Sequence, residues 1–293
     1  MAAIIMDGKT LGLKIRERVK EKVLTLKEKG IIPCLAVVLV GENPASVSYV
    51  NSKEKALAEA GMESRDLRLP ESTTEDQLLS IISDLNKDKN VHGILVQSPV
   101  PNHIDEEKII FSIAPEKDVD CFHPLSVGNM VLDREGFLPC TPHGVLLLLR
   151  EYNIPVSGAN VVIIGRSNIV GKPLANLLIR REYNATVTLC HTGTKDIAHH
   201  TLQADILIVA AGKPEFVKSN MIKEGSVVID VGINRVPDSS AKKGYRVCGD
   251  VDPEVSEKAA FFTPVPGGVG PMTIALLLQN VAEAAAAIMT VKK

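Results

Sequence analysis

The apolar positions in the first half of the chain alternate between helical and strand-like spacing. Five of them recur every three or four residues from Leu11 to Leu26, which predicts an amphipathic helix that Gly30 can end. The runs 35–40 and 93–96 are continuously apolar and predict buried strands. Strands without polar alternation are typical of a parallel sheet that is covered on both faces. The pattern therefore indicates an α/β domain.

Between these two strands the sequence predicts two helices, over residues 46–60 and 75–85, and a strand near Leu67. The pattern changes at Thr141-Pro142, where the threonine can cap a helix N-terminus and the proline suits the first helical position. We place the crossing into a second domain here. Because the crossing has no Gly/Ser-rich linker, we expect the two domains to hold a fixed relation.

Four short apolar runs with helical segments between them predict a second α/β domain. Their order indicates the doubly wound parallel sheet of a dinucleotide-binding domain. These runs are residues 161–165, 185–190, 205–212 and 226–232. A final helix over 271–289 is expected to return to the first domain. The predicted substrate domain is therefore 1–141 with 271–293, and the predicted dinucleotide-binding domain is 142–270.

The turn after the first strand of the second half is a candidate phosphate site. It begins with Gly165-Arg166-Ser167, and Gly171 opens the following helix. The spacing departs from G-x-G-x-x-G, because Ser167 replaces the second glycine and Gly171 falls one residue late. The physical elements remain, since a glycine allows the tight turn and a helix N-terminus favours an anion. An ordinary tight turn is the alternative interpretation.

The charges near this turn favour NADP over NAD. In NAD-binding proteins an acidic residue about 20 positions downstream of the glycines takes the ribose hydroxyls. Here the segment 190–195 contains no carboxylate, and the first one is Asp196. Arg166, Lys195 and the hydroxyl of Thr192 can instead meet a 2′-phosphate. The alternative is that both basic residues are solvated surface charges.

Three polar residues in the first half are candidates for a functional site. Tyr49 and Lys53 are one helical turn apart and share a face, beside an apolar stripe that includes Val50 and Leu57. Lys53 can therefore act as a proton carrier, although its spacing alone favours a solvated helix surface. Gln97 directly follows a predicted buried strand, and open α/β sheets bind ligands at the carboxyl ends of their strands.

Two further segments have the composition of binding loops. Residues 263–273 contain three glycines and three prolines, so the backbone is restricted yet can approach a ligand closely. A substrate or cofactor wall and a plain loop between domains both fit this composition. Asp118 and Asp120 lie in a segment predicted to be extended, where acidic residues are usually solvated.

Composition limits the class of partner. The 293 residues carry a formal net charge of −2 and only 3% aromatic residues, which argues against a nucleic-acid partner and favours a small molecule. Five cysteines without a C-x-x-C pair indicate a reducing compartment. Seven histidines lack zinc spacing, so we expect no metal site. No apolar run reaches ~18 residues and the N-terminus lacks a signal peptide, so we expect a cytoplasmic protein without a membrane partner.

Taken together, these motifs resemble those of the methylenetetrahydrofolate dehydrogenase/cyclohydrolase family. The resemblance extends over nearly the whole chain, and its motifs are specific because all of them occur in order. In this sequence they are Met6-Asp7-Gly8-Lys9, Tyr49-Val50-x-x-Lys53-x-Lys55, His92-Gly93-Ile94-Leu95-Val96-Gln97, Pro115-Glu116-Lys117-Asp118-Val119-Asp120, Pro139-Cys140-Thr141-Pro142, Gly165-Arg166-Ser167-x-x-Val170-Gly171-x-Pro173 and Pro264-Val265-Pro266-Gly267-Gly268-Val269-Gly270-Pro271-Met272-Thr273.

The resemblance implies a fold, a reaction and partners. The fold would be two α/β domains, an N-terminal substrate domain and a C-terminal Rossmann-type NADP-binding domain, with an active-site cleft between them. The reaction would be oxidation of 5,10-methylenetetrahydrofolate with NADP, followed by hydrolysis of the methenyl product to 10-formyltetrahydrofolate. Tetrahydrofolate derivatives would be the partners, and the chain would form a homodimer through its second domain.

The resemblance also implies roles for individual residues. Lys53 would assist proton transfer in the cyclohydrolase step, and Gln97 would orient it. Tyr49 would stack on the folate, and Asp120 would accept hydrogen bonds from the pterin ring. The substrate would further be walled by Pro264, Gly267 and Gly268. The cofactor would be bound by Gly165, Arg166, Ser167, Gly171, Thr192 and, on the nicotinamide side, the backbone of Ile233.

The chain departs from the family pattern at three places. Cys121 stands where glycine is usual, Ser98 stands where leucine is common, and the segment 192–194 replaces a more familiar serine followed by basic residues. The third departure weakens the argument for a 2′-phosphate site. Two other functions stay open from the residues alone: a different nicotinamide dehydrogenase on the same plan, and a catalytically silent folate-binding or scaffold protein.

Overall fold

A computed structural model describes residues 2–241 and 244–291 of the chain. These residues form two compact α/β units. One unit comprises Leu13–Leu138 together with the last helix from Ile274 onwards. The other comprises the described residues up to Gly12 together with Pro139–Thr273.

The helices and strands follow one another in the order expected of α/β units. The strands are β1 (Ile4–Ile5), β2 (Cys34–Val40), β3 (Glu63–Leu69), β4 (Gly93–Val96), β5 (Asn160–Ile164), β6 (Thr186–Cys190), β7 (Ile206–Val209), β8 (Val227–Asp230), β9 (Asn234–Pro237), β10 (Tyr245–Cys248) and β11 (Phe261–Phe262). The α-helices are α1 (Gly8–Glu28), α2 (Pro44–Glu59), α3 (Glu75–Lys87), α4 (Glu106–Ser112), α5 (Pro124–Val131), α6 (Cys140–Glu151), α7 (Gly171–Leu178), α8 (Ile197–Thr201) and α9 (Val269–Val291). Every helix and strand predicted above is confirmed to within a few residues.

The unit that contains α2 is built on a three-stranded parallel sheet in the order β3-β2-β4. All seven residues of β2 are buried, as its unbroken apolar run predicts. Asn43 caps α2 by accepting the N–H groups of Ala45 and Ser46, and Thr74 and Gln77 form a reciprocal capping box at α3. Helix α2 therefore starts at a defined residue, which sets the direction of the side chains along it.

The other unit is built on a six-stranded parallel sheet in the order β1-β11-β8-β7-β5-β6. Strand β5 pairs with β6 on one side and with β7 on the other. The chain therefore reverses its direction of winding at β5, and open α/β sheets bind ligands at such a switch point. The doubly wound sheet predicted for this half is confirmed. An antiparallel pair, β9 with β10, was not predicted.

The N-terminal segment lies in a different unit from the one predicted. The sequence places residues 1–12 in the first domain, whereas β1 pairs with β11 and so belongs to the six-stranded sheet. Two apolar residues, Ile4 and Ile5, are too short a run to show which sheet they join. Only the pairing with Phe261 and Phe262, more than 250 residues away, determines it.

Helix α6 does not begin as predicted. Its N-cap residue is Pro139, and Thr141 lies inside the first turn rather than capping it. The Thr141 hydroxyl is instead within 2.9 Å of the Thr273 hydroxyl, so a tertiary hydrogen bond replaces the expected local one.

Two buried apolar clusters stabilise the two units. One includes Val38, Leu78 and Ile94, and the other includes Val162, Leu207 and Val228. Each such side chain contributes roughly 1.5–3 kcal/mol by leaving water.

Helix α9 is apolar enough to be compared with a membrane span. Among the described residues its stretch Val269–Ala287 alone has the length and composition to cross a membrane. Of its most apolar window, 61% is buried within the protein, as in a core helix.

Candidate active site

The Lys53 side chain is held at the end of a buried strand. Its Nζ donates to Gln97 Oε1 at 3.0 Å, while Gln97 Nε2 donates to the Ser98 carbonyl at 2.8 Å. The Gln97 backbone N–H continues the sheet by donating to the Val38 carbonyl at 2.8 Å. Gln97 is thus fixed through both its backbone and its amide, and it presents an oxygen to the lysine.

The neighbours of Lys53 on α2 have different surroundings. The side chain of Lys55 is 80% exposed and pairs only with Glu59, one turn further along the helix. Lys53 is half-buried, and Tyr49, one turn before it, exposes 42% of its surface. The structure therefore brings the predicted pair Lys53 and Gln97 together and leaves a large aromatic face open beside them.

Asp120 lies in a tight turn at the same end of the sheet. It is half-buried and lines a small cavity together with Ser98 and residues of β4. The turn is organised by Asp118, whose carboxylate accepts the N–H groups of Phe122 at 3.1 Å and His123 at 2.8 Å. The sequence suggested that Asp118 is solvated, but it is buried and structural.

The departure at Cys121 has a backbone explanation. Its φ is +61°, in the left-handed region that glycine enters without steric cost, which accounts for the glycine usual at this position. The cysteine side chain is buried, so its packing offsets part of the backbone strain. The carbonyl of Val119, two residues before Cys121, accepts from Asn280 Nδ2 at 2.7 Å.

The predicted phosphate loop has the close approaches that require its glycines. A Cβ on Gly165 would lie 2.1 Å from the Ala210 carbonyl oxygen, and a Cβ on Gly171 would lie 1.9 Å from the Gly165 carbonyl oxygen. The Ser167 hydroxyl accepts the Val170 N–H at 3.1 Å and closes the turn. Within the first turn of α7 the Lys172 N–H donates to the Ser167 carbonyl at 3.1 Å and Pro173 has no N–H, so it is the dipole of α7 that favours an anion at its N-terminus.

The residues predicted for a 2′-phosphate lie at adjacent strand ends. Ile164 and Cys190 are register partners at the ends of β5 and β6, so Arg166 and Thr192 follow neighbouring strands. Both are exposed. Asp196, the nearest acid, accepts the His199 N–H at 3.0 Å as the cap of α8.

The glycine- and proline-rich loop is fixed against the first turn of α1. A Cβ on Gly8 would lie 1.9 Å from the Gly268 carbonyl oxygen, and the Lys9 N–H donates to the Gly267 carbonyl at 3.0 Å. Together with Pro264 and the half-exposed Ile233, this loop lines a cavity of about 130 Å³. The structure thus brings four predicted residues to one wall.

Sequence reasoning missed two buried acids near that cavity, Asp230 and Asp250. Burial raises the pKa of Asp230 to about 7, against three backbone N–H bonds that favour its charged form. The signal in the sequence was a glycine close to each acid, Gly232 two residues after Asp230 and Gly249 directly before Asp250. Among the described residues no group of three or more potential ligands is placed to hold a metal ion.

Both halves of the chain match models of one protein family. The catalytic domain of tetrahydrofolate dehydrogenase/cyclohydrolase matches residues 6–120, and the NAD(P)-binding domain of the same family matches residues 139–289. The chain belongs to the tetrahydrofolate dehydrogenase/cyclohydrolase family. Its family membership accounts for the motifs in both units and for their order along the chain.

Individual members of the family are similar over their full lengths. The bifunctional protein FolD of Exiguobacterium sibiricum is 54% identical over 97% of this chain and 99% of its own length. The crystal structure of FolD from Campylobacter jejuni, a methylenetetrahydrofolate dehydrogenase/cyclohydrolase, is 52% identical, with a TM-score of 0.93 and coverage of 98% of this chain and 100% of its own. The Trypanosoma brucei enzyme, solved with NADP cofactor and an inhibitor, is 38% identical, with a TM-score of 0.94 and coverage of 99% of each chain.

Proposed function

We propose that this chain is a bifunctional enzyme of folate one-carbon metabolism. It oxidises 5,10-methylenetetrahydrofolate to 5,10-methenyltetrahydrofolate with NADP and then hydrolyses that product to 10-formyltetrahydrofolate. The observation that carries the proposal is the Lys53–Gln97 pair at a strand end, in a chain that matches bifunctional relatives from end to end.

The oxidation depends mainly on positioning. When bound, NADP supplies the acceptor for the hydride that leaves the methylene carbon. Gly165 and Gly171 allow the backbone of the turn to approach closely, the dipole at the N-terminus of α7 favours a phosphate, and Arg166 is exposed. No side-chain base is needed, because the folate nitrogen lone pair already favours loss of hydride; the chain contributes orientation and exclusion of water.

The hydrolysis needs a proton carrier. Water adds to the methenyl carbon and loses one proton, which gives a neutral carbinol. The bond from that carbon to one ring nitrogen then breaks, the hydroxyl loses its proton and becomes the formyl C=O, and the nitrogen gains a proton, so that one proton is released overall. Lys53 is the proposed carrier, because its ammonium is half-buried and is held by Gln97 at 3.0 Å. The amide of Gln97 accepts from the lysine and so fixes the direction in which the remaining N–H groups point.

Binding of the folate is assigned to groups near this pair. Tyr49 offers an exposed ring for stacking, and Asp120 offers a half-buried carboxylate to the pterin N–H groups. The family resemblance also assigns Pro264, Gly267 and Gly268 to the substrate and the backbone of Ile233 to the nicotinamide. These roles rest on the family resemblance and on the placement described above.

The oligomeric state is proposed from the family resemblance, and the cellular compartment is proposed from the cysteines. A homodimer through the dinucleotide-binding domain follows from the family resemblance, and light scattering of the purified protein tests it. The five cysteines are buried free thiols, which agrees with a reducing compartment, and we propose the cytoplasm.

One spectrophotometric experiment tests the function. The protein is given methylenetetrahydrofolate with NADP or with NAD, and separately methenyltetrahydrofolate without a cofactor. We expect NADP reduction in the first assay and loss of methenyl absorbance in the second. NADP reduction without hydrolysis would leave only a dehydrogenase, and absence of both activities would leave only a folate-binding protein.

A further inference from the structure

A fully buried carboxylate joins two loops at the carboxyl edge of the six-stranded sheet. Asp250 has no exposed surface. It accepts the backbone N–H groups of Ala211 at 2.7 Å and of Gly212 and Lys213 at 2.8 Å, and Asn234 Nδ2 donates to it at 2.8 Å. Four donors converge on one carboxylate, and these hydrogen bonds fix both loops.

A second buried carboxylate fixes Asp250 itself. Asp230 accepts the N–H groups of Gly232, Asp250 and Val251, each at 2.9 Å. The packing leaves no room for a side chain between the two acids. A Cβ on Gly232 would lie 2.3 Å from Asp250 Cγ, and a Cβ on Gly249 would lie 1.8 Å from Asp230 Oδ2. The segments Asp230-x-Gly232 and Gly249-Asp250 therefore pack directly against each other.

The two loops that Asp230 and Asp250 hold follow the neighbouring strands β7 and β8. The first begins at Ala210, whose carbonyl oxygen occupies the position next to Gly165 in the phosphate turn. The second contains Ile233, which lines the cavity of the glycine- and proline-rich loop together with Asp230. Both loops therefore lie where an open α/β sheet binds its ligand.

We infer that Asp250 is a positioning residue for NADP, which holds the Ala211–Lys213 and Ile233–Asn234 backbones in the shape that the cofactor needs. The inference rests on the proposed function. The loops that Asp250 holds follow β7 and β8, whereas Thr192 follows β6 on the other side of β5. Asp250 therefore acts on the part of the cofactor molecule that NADP and NAD have in common. Loss of the carboxylate should therefore weaken the binding of NADP and the binding of NAD by a similar factor.

The experiment compares Asp250→Asn with Asp252→Asn. An asparagine has the same shape, but its NH₂ group would oppose an N–H donor. Asp252 is a matched control, because it pairs with Lys218 at the surface two residues further on. Calorimetric titration should show a Kd for NADP at least tenfold higher in Asp250→Asn, with a similar factor for NAD. Asp252→Asn should keep the parent Kd for both cofactors.

A second variant covers the case in which Asp250→Asn does not fold. Asn234→Ala removes one of the four donors and should raise the Kd for NADP about threefold or more. Parent-like NADP affinity in folded Asp250→Asn, or in Asn234→Ala when the former does not fold, overturns the inference, because a merely structural acid would lower thermal stability alone. A parent protein that fails to bind NADP would contradict the proposed function instead.

Discussion

The Lys53 ammonium lies 3.0 Å from the side-chain oxygen of Gln97, although 44 residues separate the two along the chain. One residue is on a helix and the other ends a strand, so the contact exists only because α2 packs beside the carboxyl edge of the β3-β2-β4 sheet. An amide oxygen can accept from an ammonium without taking its proton. The hydrogen bond therefore orients the Lys53 ammonium and leaves its proton on the nitrogen.

Lys53→Met should separate the two activities. Methionine keeps most of the apolar stem but removes the amine, and general acid–base groups typically contribute about 10²–10⁴-fold. We expect the cyclohydrolase rate to fall on that scale, with dehydrogenase activity still measurable and the methenyl intermediate accumulating in absorbance. Lys55→Met, on the exposed side of the same helix, is the control. Parent-rate hydrolysis in Lys53→Met would leave the mechanism without its proton carrier.

Arg166→Ala should change cofactor selectivity. Arg166 follows β5 beside the end of β6, and Asp196, the first acid after β6, is engaged as a helix cap. A hydrogen bond to a charged group contributes about 1.5–3 kcal/mol, so NADP should bind roughly 10–100-fold more weakly while NAD changes little. Titration with both cofactors measures this, with Arg181→Ala as an exposed control. Equal losses for NADP and NAD would show that Arg166 does not meet the 2′-phosphate.

Asp120→Ala should weaken folate binding and spare the cofactor. Removal of one partner of a buried charge-assisted hydrogen bond costs about 2–5 kcal/mol. Folate affinity should therefore fall steeply, while NADP binding to the free enzyme stays near the parent value. Glu116→Ala, an exposed acid four residues earlier, should change neither. Unchanged folate affinity in Asp120→Ala would mark Asp120 as a solvated loop residue.

Protonation of His143 should lower the stability of the fold at acid pH. Burial lowers the pKa of His143 to about 4, and its Nδ1 has no hydrogen-bond partner among the described residues. The unfolded chain has a histidine pKa of about 6.5, so below that pH it binds more protons than the folded state does. Stability from this group is complete above pH 6.5 and falls between pH 6.5 and 4.

The size of this effect can be measured by urea unfolding. Between pH 7.5 and pH 5 the His143 contribution to the free energy of unfolding should fall by about 2 kcal/mol. His143→Phe should lose that part of the pH dependence, since phenylalanine cannot be protonated. Asp230, whose pKa is raised to about 7, acts in the opposite direction in both proteins and cancels in the comparison. Identical pH profiles for parent and variant would contradict the assignment.

Chelation should leave both activities unchanged. The proposed chemistry uses a lysine and a nicotinamide cofactor, and among the described residues no cluster of ligands is suited to a metal ion. Prolonged dialysis against EDTA, followed by the two absorbance assays, checks this. Activity that disappears and returns with a divalent ion would contradict it.

Elements with an unbroken apolar run or a regular repeat were predictable from the sequence. The apolar runs of β2 and β4 and the helical repeat of α1 depend on neighbours within one element, and their bounds agree with the structure. Strand β1 was missed because it has only two residues. Strands β9 and β10 are as long as β4, but polar residues interrupt them and no apolar run marks them.

The sequence by itself determined the two α/β units, the glycine turn at Gly165 and the candidates Lys53, Gln97 and Asp120, because local pattern and residue type carry that information. Only the tertiary structure decided which candidates meet. It placed Lys53 on Gln97 and showed that Thr141 pairs with Thr273 rather than capping its helix. Contacts between residues far apart in sequence depend on how sheets and helices pack, and no local period records that packing.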